Sequence, residues 1–451
     1  QFARNRISTT SLEVVTLYAA AVDASARNRF EEARENALKA VEVDPKFGLG
    51  YMIAAVQSAN LGRLDDRQKY LDLALQNLEG MTERERYLTR GYSYLATNDY
   101  QLCIKEFSEA VVRYQADVSG RNNLALCLSK VRKLREATQE MQEVVKILPN
   151  QPLFRDNLAL YSNYSGDFQR GEQEALAVKG VDAYAMLARA FAQLGQGQLM
   201  QAAETYKKLG AIDKRGSSMA ASGLGDIAIL EGRFSDGIDI LRRSVTDDLA
   251  TGNVQSGTAK LAAIAHAEMS RGRQRAAIEA SDEALRHSSD VSARFIAART
   301  FAEAGEVAKA RGLMKLLASD AYAEPRAYAK IVEGVLALKA GEARQAVALL
   351  REANELFDTW IGLFDLGRAS LEAGLFAQAD SAFDTCLNAR RGEALSLFLD
   401  EEPTYAYLVP VHYYLGRARE GLKSSGYTDS YREYLRLRGN SADDRLAQDA
   451  R

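Results

Sequence analysis

The chain has 451 residues, of which 47% are hydrophobic, and its 58 basic and 61 acidic residues give a net charge of −3. This balance argues against a nucleic-acid partner, because such surfaces normally carry a basic excess. The N-terminus has no charged-then-apolar leader, and the apolar stretch at 259–267 is far too short to cross a bilayer. We therefore expect no signal peptide and no membrane insertion by this chain.

Glycines separate the amphipathic runs, and from Gly166 to Gly374 neighbouring glycines of this set lie 31 to 40 residues apart. They are Gly62, Gly166, Gly197, Gly232, Gly272, Gly305, Gly341 and Gly374. A tight turn between antiparallel helices needs a residue that tolerates positive φ, as glycine does. The six prolines lie at the edges of the runs, so the chain is predicted to be almost entirely helical. Two helices in a period of about 34 residues are typical of the tetratricopeptide repeat (TPR).

Taken in chain order, the units place small residues where two helices meet and large residues where pairs pack together. The first five units carry Leu17, Ala21 and Phe30; Tyr51, Ala55 and Gly62; Tyr87, Gly91 and Phe107; Ala125 and Ala137; and Ala159 and Gly166. Units six to ten match more loosely at Ala202, Gly225, Ala265, Ala298 and Gly334. Unit eleven is strong, with Gly367, Gly374, Phe376 and Ala379, and the last unit begins at Leu415. We predict an all-α fold, a right-handed α-α superhelix (TPR-like solenoid) of about twelve helix pairs.

The step between units seven and eight, from Gly232 to Gly272, is longer than the steps between the neighbouring units, and the extra residues fall in 246–256. We predict a longer connection or bend at 246–256. It would separate an N-terminal TPR sub-array, 1–245, from a C-terminal one, 257–451. The polar tail at 441–451 is expected to face solvent.

No arrangement of residues in the chain indicates catalysis or metal binding. The three histidines, His266, His287 and His412, are far apart and none has HxxxH or HExxH spacing. The chain also lacks a GxSxG elbow and the phosphate loop, HRDLxxxxN and DFG motifs of kinases. We expect no cofactor, no metal and no enzymatic activity. The alternating charges of ERER at 83–86 indicate a solvent-exposed helix start.

The three cysteines, Cys103, Cys127 and Cys386, are odd in number and form no CxxC pair. Each falls at an apolar position of a helical pattern, so we interpret all three as small core residues and expect no disulfide framework. Cysteine usage therefore leaves the compartment open. The alternatives are the extracytoplasmic part of a single-pass membrane protein and the cytoplasm.

Two terminal segments resemble bacterial TPR arrays attached to signalling modules. They are ISTTSLEVVTLYAAAVDASARNRFEEARENALKAVEVDPKFGLGY and HYYLGRAREGLKSSGYTDSYREYLRLRGNSADD. In that family the array lies C-terminal to a eukaryotic-like Ser/Thr protein kinase domain, often beyond a membrane helix. The resemblance implies an interaction or sensing domain, the non-catalytic C-terminal region of such a kinase. The alternative is a free-standing TPR scaffold or co-chaperone-like adaptor in assembly or secretion.

The resemblance also implies that the first helix of each pair lines the concave side, with positions five, nine, twelve and thirteen facing a ligand. These positions include Tyr92, Asn122, Lys130, Asn163, Tyr164, His266, Arg299, Phe364, Arg368, Tyr413 and Arg417. Arginine recurs at the ninth position in three units, and its guanidinium binds a carboxylate through two parallel hydrogen bonds. We predict that this face binds another protein or peptide, and that its C-terminal half binds an acidic or C-terminal segment. The alternative is that these are ordinary solvated residues, with each arginine paired to a neighbouring glutamate.

Overall fold

The computed structural model describes residues 7–397 and 403–451. In this part of the chain the helices follow one another as twelve pairs and a short last helix, and no residue lies in a strand. The fold is a TPR-like array of helix pairs, as predicted. No helix among the described residues is both long and apolar enough to span a bilayer.

The first six pairs are α1 (Leu12–Ala26), α2 (Phe30–Val43), α3 (Gly48–Asn60), α4 (Leu64–Gln76), α5 (Glu83–Ala96), α6 (Tyr100–Arg113), α7 (Val118–Lys130), α8 (Leu134–Ile147), α9 (Pro152–Tyr164), α10 (Phe168–Ala177), α11 (Ala183–Gly195) and α12 (Leu199–Gly210). The last six pairs and the final helix are α13 (Lys214–Leu230), α14 (Phe234–Ala250), α15 (Val254–Ser270), α16 (Gln274–His287), α17 (Val291–Ala304), α18 (Val307–Ala318), α19 (Ala323–Lys339), α20 (Ala343–Leu356), α21 (Trp360–Glu372), α22 (Phe376–Leu387), α23 (Val409–Gly421), α24 (Tyr427–Arg438) and α25 (Arg445–Asp449). Short 3-10 helices span Leu78–Gly80, Arg391–Leu395 and Tyr405–Leu408.

The turns within pairs use positive φ, as the glycine spacing predicts. All eight of those glycines have φ between 72° and 90°. In four pairs without a turn glycine, a larger residue takes this conformation; these residues are Asn28, Asn98, Arg132 and Lys423. Such a residue carries steric strain that glycine avoids.

Small residues at the eighth position bring the two helices of a pair together. A Cβ added at Gly91 would lie 2.7 Å from the ring of Phe107, and one added at Gly367 would lie 2.6 Å from Phe383. In both pairs the aromatic ring comes from the second helix and fills the space that the missing side chain leaves. Ala379, the predicted small residue of unit eleven, is fully buried.

The described residues form two compact units. The first comprises residues 7–162 with Gln173–Ala185, and the second comprises Asn163–Glu172 with the described residues from Met186 to Arg451. At 246–256 no long loop is present, because α14 and α15 are both 17 residues long and only residues 251–253 separate them. The extra residues therefore lengthen helices, and the predicted division of the array at this place stays a prediction.

Two of the cysteines are paired, contrary to the expectation from their spacing. Cys103 on α6 and Cys127 on α7 form a disulfide with their Cα atoms 6.2 Å apart. Both side chains are fully buried, so the predicted core placement is right and the expected absence of a disulfide is wrong. Spacing gave no signal of the pair, because 24 residues and a change of repeat separate the two thiols. Cys386 is a buried free thiol.

The C-terminal tail faces solvent only in part. Asp444 is 1% exposed and accepts a hydrogen bond from the Tyr434 hydroxyl at 2.8 Å. Asp443 is exposed and pairs with Arg271 at 3.1 Å, so the tail lies against the turn between α15 and α16. The expectation of a solvated tail is therefore wrong for Asp444, because a polar side chain can be buried once it has a partner.

Candidate functional site: the inner rows of the two units

The ninth position of each first helix forms what we call the inner row. In the first unit this row is apolar and comprises Val22, Val56, Tyr92, Leu126 and Leu160. In the second unit it is largely polar and comprises Phe191, Asp226, His266, Arg299, Val335, Arg368 and Arg417. The same repeat position thus carries opposite chemistry in the two units.

The row of the first unit remains partly accessible. Val22 is 38% exposed, and Val56 and Leu126 are half-buried. Tyr92 is buried, and its hydroxyl donates to the carbonyl of Ala55 at 3.4 Å. No charged residue occupies the row itself, so its accessible part is an apolar surface.

Side-chain amides border this apolar row. Asn157 Nδ2 donates to Asn122 Oδ1 at 2.8 Å, and both residues are half-buried, as is the predicted site residue Lys130. An amide offers a donor and an acceptor, as a peptide backbone does. The accessible part of the row is thus an apolar surface with amide groups beside it.

At the charged start of α5, Glu83 is exposed as predicted, whereas Glu85 is buried and Arg84 is paired within the first unit. Glu85 is fully buried and accepts hydrogen bonds from the backbone N–H of Ser8 at 2.9 Å and of Thr82 at 2.8 Å. Arg84 donates to both oxygens of Asp117 at 2.7 and 2.9 Å. The prediction of an exposed helix start at 83–86 is therefore wrong for these two residues, because their charges are satisfied within the unit.

Asn163 and Tyr164, both predicted to face a ligand, are buried in the second unit. Asn163 Nδ2 donates to the carbonyl of Ala188 at 2.7 Å. The ring of Tyr164 lies 6.1 Å from that of Phe191. These side chains join α9 to α11 and offer no surface to a partner.

The inner row of the second unit is covered by the protein's own chain at two of its residues, Asp226 and His266. Residues 403–408, which we call the strap, lie in the connection between α22 and α23. Both oxygens of Asp226 accept backbone hydrogen bonds from the strap, from Tyr405 at 3.1 Å and from Ala406 at 3.0 Å. Arg438, which is 1% exposed, donates to the carbonyl of Ala406 at 3.4 Å. Side chains of α13 and α24 therefore bind the backbone of the strap.

Two tyrosines of the strap contact the second unit through their side chains. Tyr407 stacks on His266 with ring centroids 3.8 Å apart, and Arg391 Nε donates to the Tyr405 hydroxyl at 2.5 Å. Burial lowers the pKa of His266 to about 3, so the stacked imidazole is neutral. Burial also raises the pKa of Asp226 to about 7, against the opposing effect of the two backbone donors and Arg438.

Arg299 and Arg368 lie together in one ion-pair network. Arg299 donates to both oxygens of Asp365 at 2.8 Å. Arg368 binds Glu303 at 2.6 Å and Asp365 at 2.9 Å. Although burial alone raises it, Arg368 and Arg299 bring the pKa of Glu303 down to about 2. The arginine side chains are about 15% exposed and are paired within the chain.

The other predicted residues of this face do not form one groove with the two paired arginines. Phe364 is buried among aromatic rings, with that of Trp360 at 5.6 Å. Tyr413 is buried, and its hydroxyl donates to Asp449. Arg417 is exposed and donates to the Tyr413 hydroxyl at 3.1 Å. The structure thus brings together only Arg299 and Arg368 of the three recurrent arginines.

The strap, which lies over Asp226 and His266, was not predicted from the sequence motifs. One signal could have indicated it: the step from Arg368 to Arg417 is longer than the step between any other two neighbouring ninth positions. Asp226 and Asp365, which hold the strap and the arginines, were also overlooked. Acidic residues are common on helices, and only proximity across the unit distinguishes these two.

The chain matches no family model and no curated protein. Several solved structures are similar to it. Yeast Tom70 is 13% identical with a TM-score of 0.46, over 81% of this chain and 89% of Tom70. A human IFIT1 dimer with PPP-AAAA is 16% identical with a TM-score of 0.41, over 95% of this chain and 92% of IFIT1. A tetratricopeptide repeat protein from Parabacteroides merdae is 12% identical with a TM-score of 0.36, over 63% of this chain and 98% of that one. Likeness at this level concerns the helix-pair architecture alone.

Proposed function

We propose that the protein is a non-catalytic interaction module that binds an extended segment of another protein along the inner row of its first unit. The observation that carries this proposal is the difference in chemistry between the accessible parts of the rows. Val22, Val56 and Leu126 are partly exposed and apolar. In the second row Arg299 and Arg368 are paired with acidic residues of the chain, and the strap lies over Asp226 and His266. Apolar side chains in such a groove favour a partner segment with apolar anchors, since burying them supplies most of the affinity.

The same observations weigh against the acidic partner predicted for the C-terminal half. Arg299 and Arg368 already bind Asp365 and Glu303, so a ligand carboxylate would have to displace carboxylates that are part of the fold. A protein partner is favoured over a nucleic acid, because the net charge is −3 and these two arginines are paired with acidic residues.

The resemblance of the terminal segments supports a finer proposal. The array is the C-terminal interaction or sensing region of a bacterial signalling protein with a Ser/Thr kinase domain. A free-standing scaffold in assembly or secretion is the alternative. Reading the coding sequence upstream of residue 1 separates the two, because the first requires a kinase domain encoded in the same frame. An upstream stop codon would contradict it.

The proposed binding surface can be tested with peptides selected from a random display library on the purified chain. Their affinities are then measured by fluorescence polarisation. For the Val56→Asp/Leu126→Asp variant we expect at least tenfold weaker binding, about 1.4 kcal/mol, because two charges would enter the apolar row. The control, Leu102→Asp/Val112→Asp, changes two exposed aliphatic residues of α6 and should bind as the wild type does. Equal affinities for all three folded proteins, or selection of acidic peptides only, would contradict the proposal.

A further inference from the structure

We propose that the inner row of the second unit is a second peptide site and that the strap is its intramolecular ligand. The ligand class is a protein segment that forms a short 3-10 helix with aromatic residues two positions apart, as Tyr405-Ala406-Tyr407 does in the strap. This inference rests on the proposed function, since it assigns the array a second place at which protein segments bind.

Side chains of the array's helices bind the backbone of the strap. Asp226 accepts from two consecutive N–H groups, and Arg438 donates to the carbonyl of Ala406. Both side chains belong to helices of the array and are at most 5% exposed. Contacts of this kind are independent of the ligand's side chains, and in peptide-binding sites they supply affinity while side-chain pockets supply specificity.

The side chains of the two strap tyrosines contact different residues of the second unit. Tyr407 stacks on the ring of His266, and the Tyr405 hydroxyl meets Arg391. Ala406 lies between them, with its amide on Asp226. Two aromatic positions separated by a small residue are therefore recognised separately. An aromatic ring buries a large area at low cost in conformational entropy, which suits it to act as an anchor.

The strap is an addition to the repeat and is not part of a helix pair. Residues 388–408 join α22 to α23, whereas only residues 251–253 join α14 to α15. Residues 403–407 lie outside the α-helices, and Leu408 is the N-cap residue of α23. Displacement of residues 403–407 would therefore leave the helix pairs unbroken.

The strap does not fill its site completely. A cavity of about 30 Å³ remains beside it, lined by Asp226, Lys260, His266 and Tyr407 among others. This volume holds one or two water molecules. The buried Nε2 of His266 has no hydrogen-bond partner among the described residues. A ligand with a polar group at this place would make a contact that the strap does not make.

The test uses the full chain with a weakened strap, Tyr405→Ala/Tyr407→Ala, and a fluorescein-labelled peptide of residues 403–409. Fluorescence polarisation should show saturable binding to this variant and at least tenfold weaker binding to the wild type, whose own strap competes. The same peptide with both tyrosines replaced by alanine is the ligand control and should bind at least tenfold more weakly. Adding Asp226→Asn to the weakened-strap variant should also weaken binding, because a carboxylate that accepts two amides is lost.

Each outcome bears on the proposal. A folded variant, checked by circular dichroism, that binds no peptide would overturn it. If the double variant unfolds, the single variant Tyr407→Ala replaces it; unfolding of both would show that the strap is core and would also overturn the proposal. The Val56→Asp/Leu126→Asp changes, introduced into the weakened-strap variant, should leave binding of this peptide intact. A loss of peptide binding at the first row can therefore be distinguished from a loss of peptide binding at the second row.

Discussion

The two inner rows occupy the same repeat position but differ in the chemistry of their side chains. Val56 and Leu126 in the first unit are apolar and half-buried, so they need no partner within the chain. Asp226, Arg299 and Arg368 in the second unit are ionisable, Asp226 is buried and the two arginines are half-buried, and each has a partner supplied by another part of that unit. A buried charge without such a partner would be strongly destabilising, so a charged row closes on its own chain while an apolar row can stay open.

The comparison changes how recurrent arginines in a repeat are interpreted. A row of arginines on a first helix predicts an acidic ligand only if no carboxylate of the fold reaches it. Here Asp365 lies three residues before Arg368 on α21 and faces Arg299 on α17. The carboxylate that the arginines bind is therefore internal.

The largest expected effect comes from removing that internal carboxylate. Asp365→Ala leaves Arg299 without its bidentate partner in a buried place, and we expect a loss of about 3–5 kcal/mol in the free energy of unfolding. The control is Asp380→Ala, which removes the half-buried partner of Arg419 and should cost about 1 kcal/mol or less. Urea denaturation of both variants measures the difference. Similar losses in the two would mean that the second row does not depend on its internal charges.

A pH titration sharpens the comparison from the side of the first unit, where the carboxyl groups of Asp156 and Asp182 lie close together. Burial, followed by the charge of Asp182, raises the pKa of Asp156 to about 8. The folded state therefore holds a proton that the unfolded chain releases near pH 4. The stabilisation is complete below that pH, falls as the pH rises from about 4 to 8, and is lost above 8.

The Asp156→Asn variant keeps a donor toward Asp182 at every pH. We expect it to exceed the wild type by roughly 3 kcal/mol or more at pH 9 and to match it near pH 4, because one pKa unit corresponds to about 1.4 kcal/mol. Asp72→Asn, an exposed change on α4, is the control and should show no such difference. Parallel stability profiles for wild type and Asp156→Asn between pH 4 and 9 would contradict the carboxyl pair.

The disulfide is a feature of the first unit. Under denaturing conditions without reductant we expect one titratable thiol, that of Cys386, and three after reduction. The Cys103→Ala/Cys127→Ala variant should lose about 2–3 kcal/mol, as expected for closing a loop of this length. Cys386→Ala is the matched control for the thiol count. Three thiols before reduction would show that the cysteines are unpaired in the purified chain.

The smallest expected effect concerns a turn of the second unit. Lys423 has a φ of 56°, which Gly374 matches at 74° in the preceding pair. Lys423→Gly should stabilise the protein by about 0.5–1 kcal/mol, while Gly374→Ala should cost about 1 kcal/mol. Thermal unfolding of the two variants measures both signs. A loss of stability in Lys423→Gly would mean that the lysine side chain contributes more than its backbone strain costs.

The predictable part of the fold is local. Glycine spacing predicted the eight turns because each turn depends on one residue's allowed φ, and the small-to-large spacing within a pair predicted close contacts such as Gly91 with Phe107. What could not be predicted depends on where distant pairs meet. Arg299 binds Asp365, which lies 66 residues further along the chain. The backbone N–H of Tyr405 donates to Asp226, which lies 179 residues earlier in the chain. No periodicity in the sequence encodes those distances.

Hydroxyl-radical footprinting with mass spectrometry tests the contrast between the rows most directly, because it reports side-chain accessibility in the intact protein. In the free wild type we expect oxidation at Val22, Val56 and Leu126 and protection at Tyr405 and Tyr407. Addition of a peptide selected on the wild-type chain should protect the first set and leave the strap unchanged. The opposite pattern, with oxidised strap tyrosines in the free protein or peptide protection confined to the second unit, would contradict the assignment of the first row as the open face.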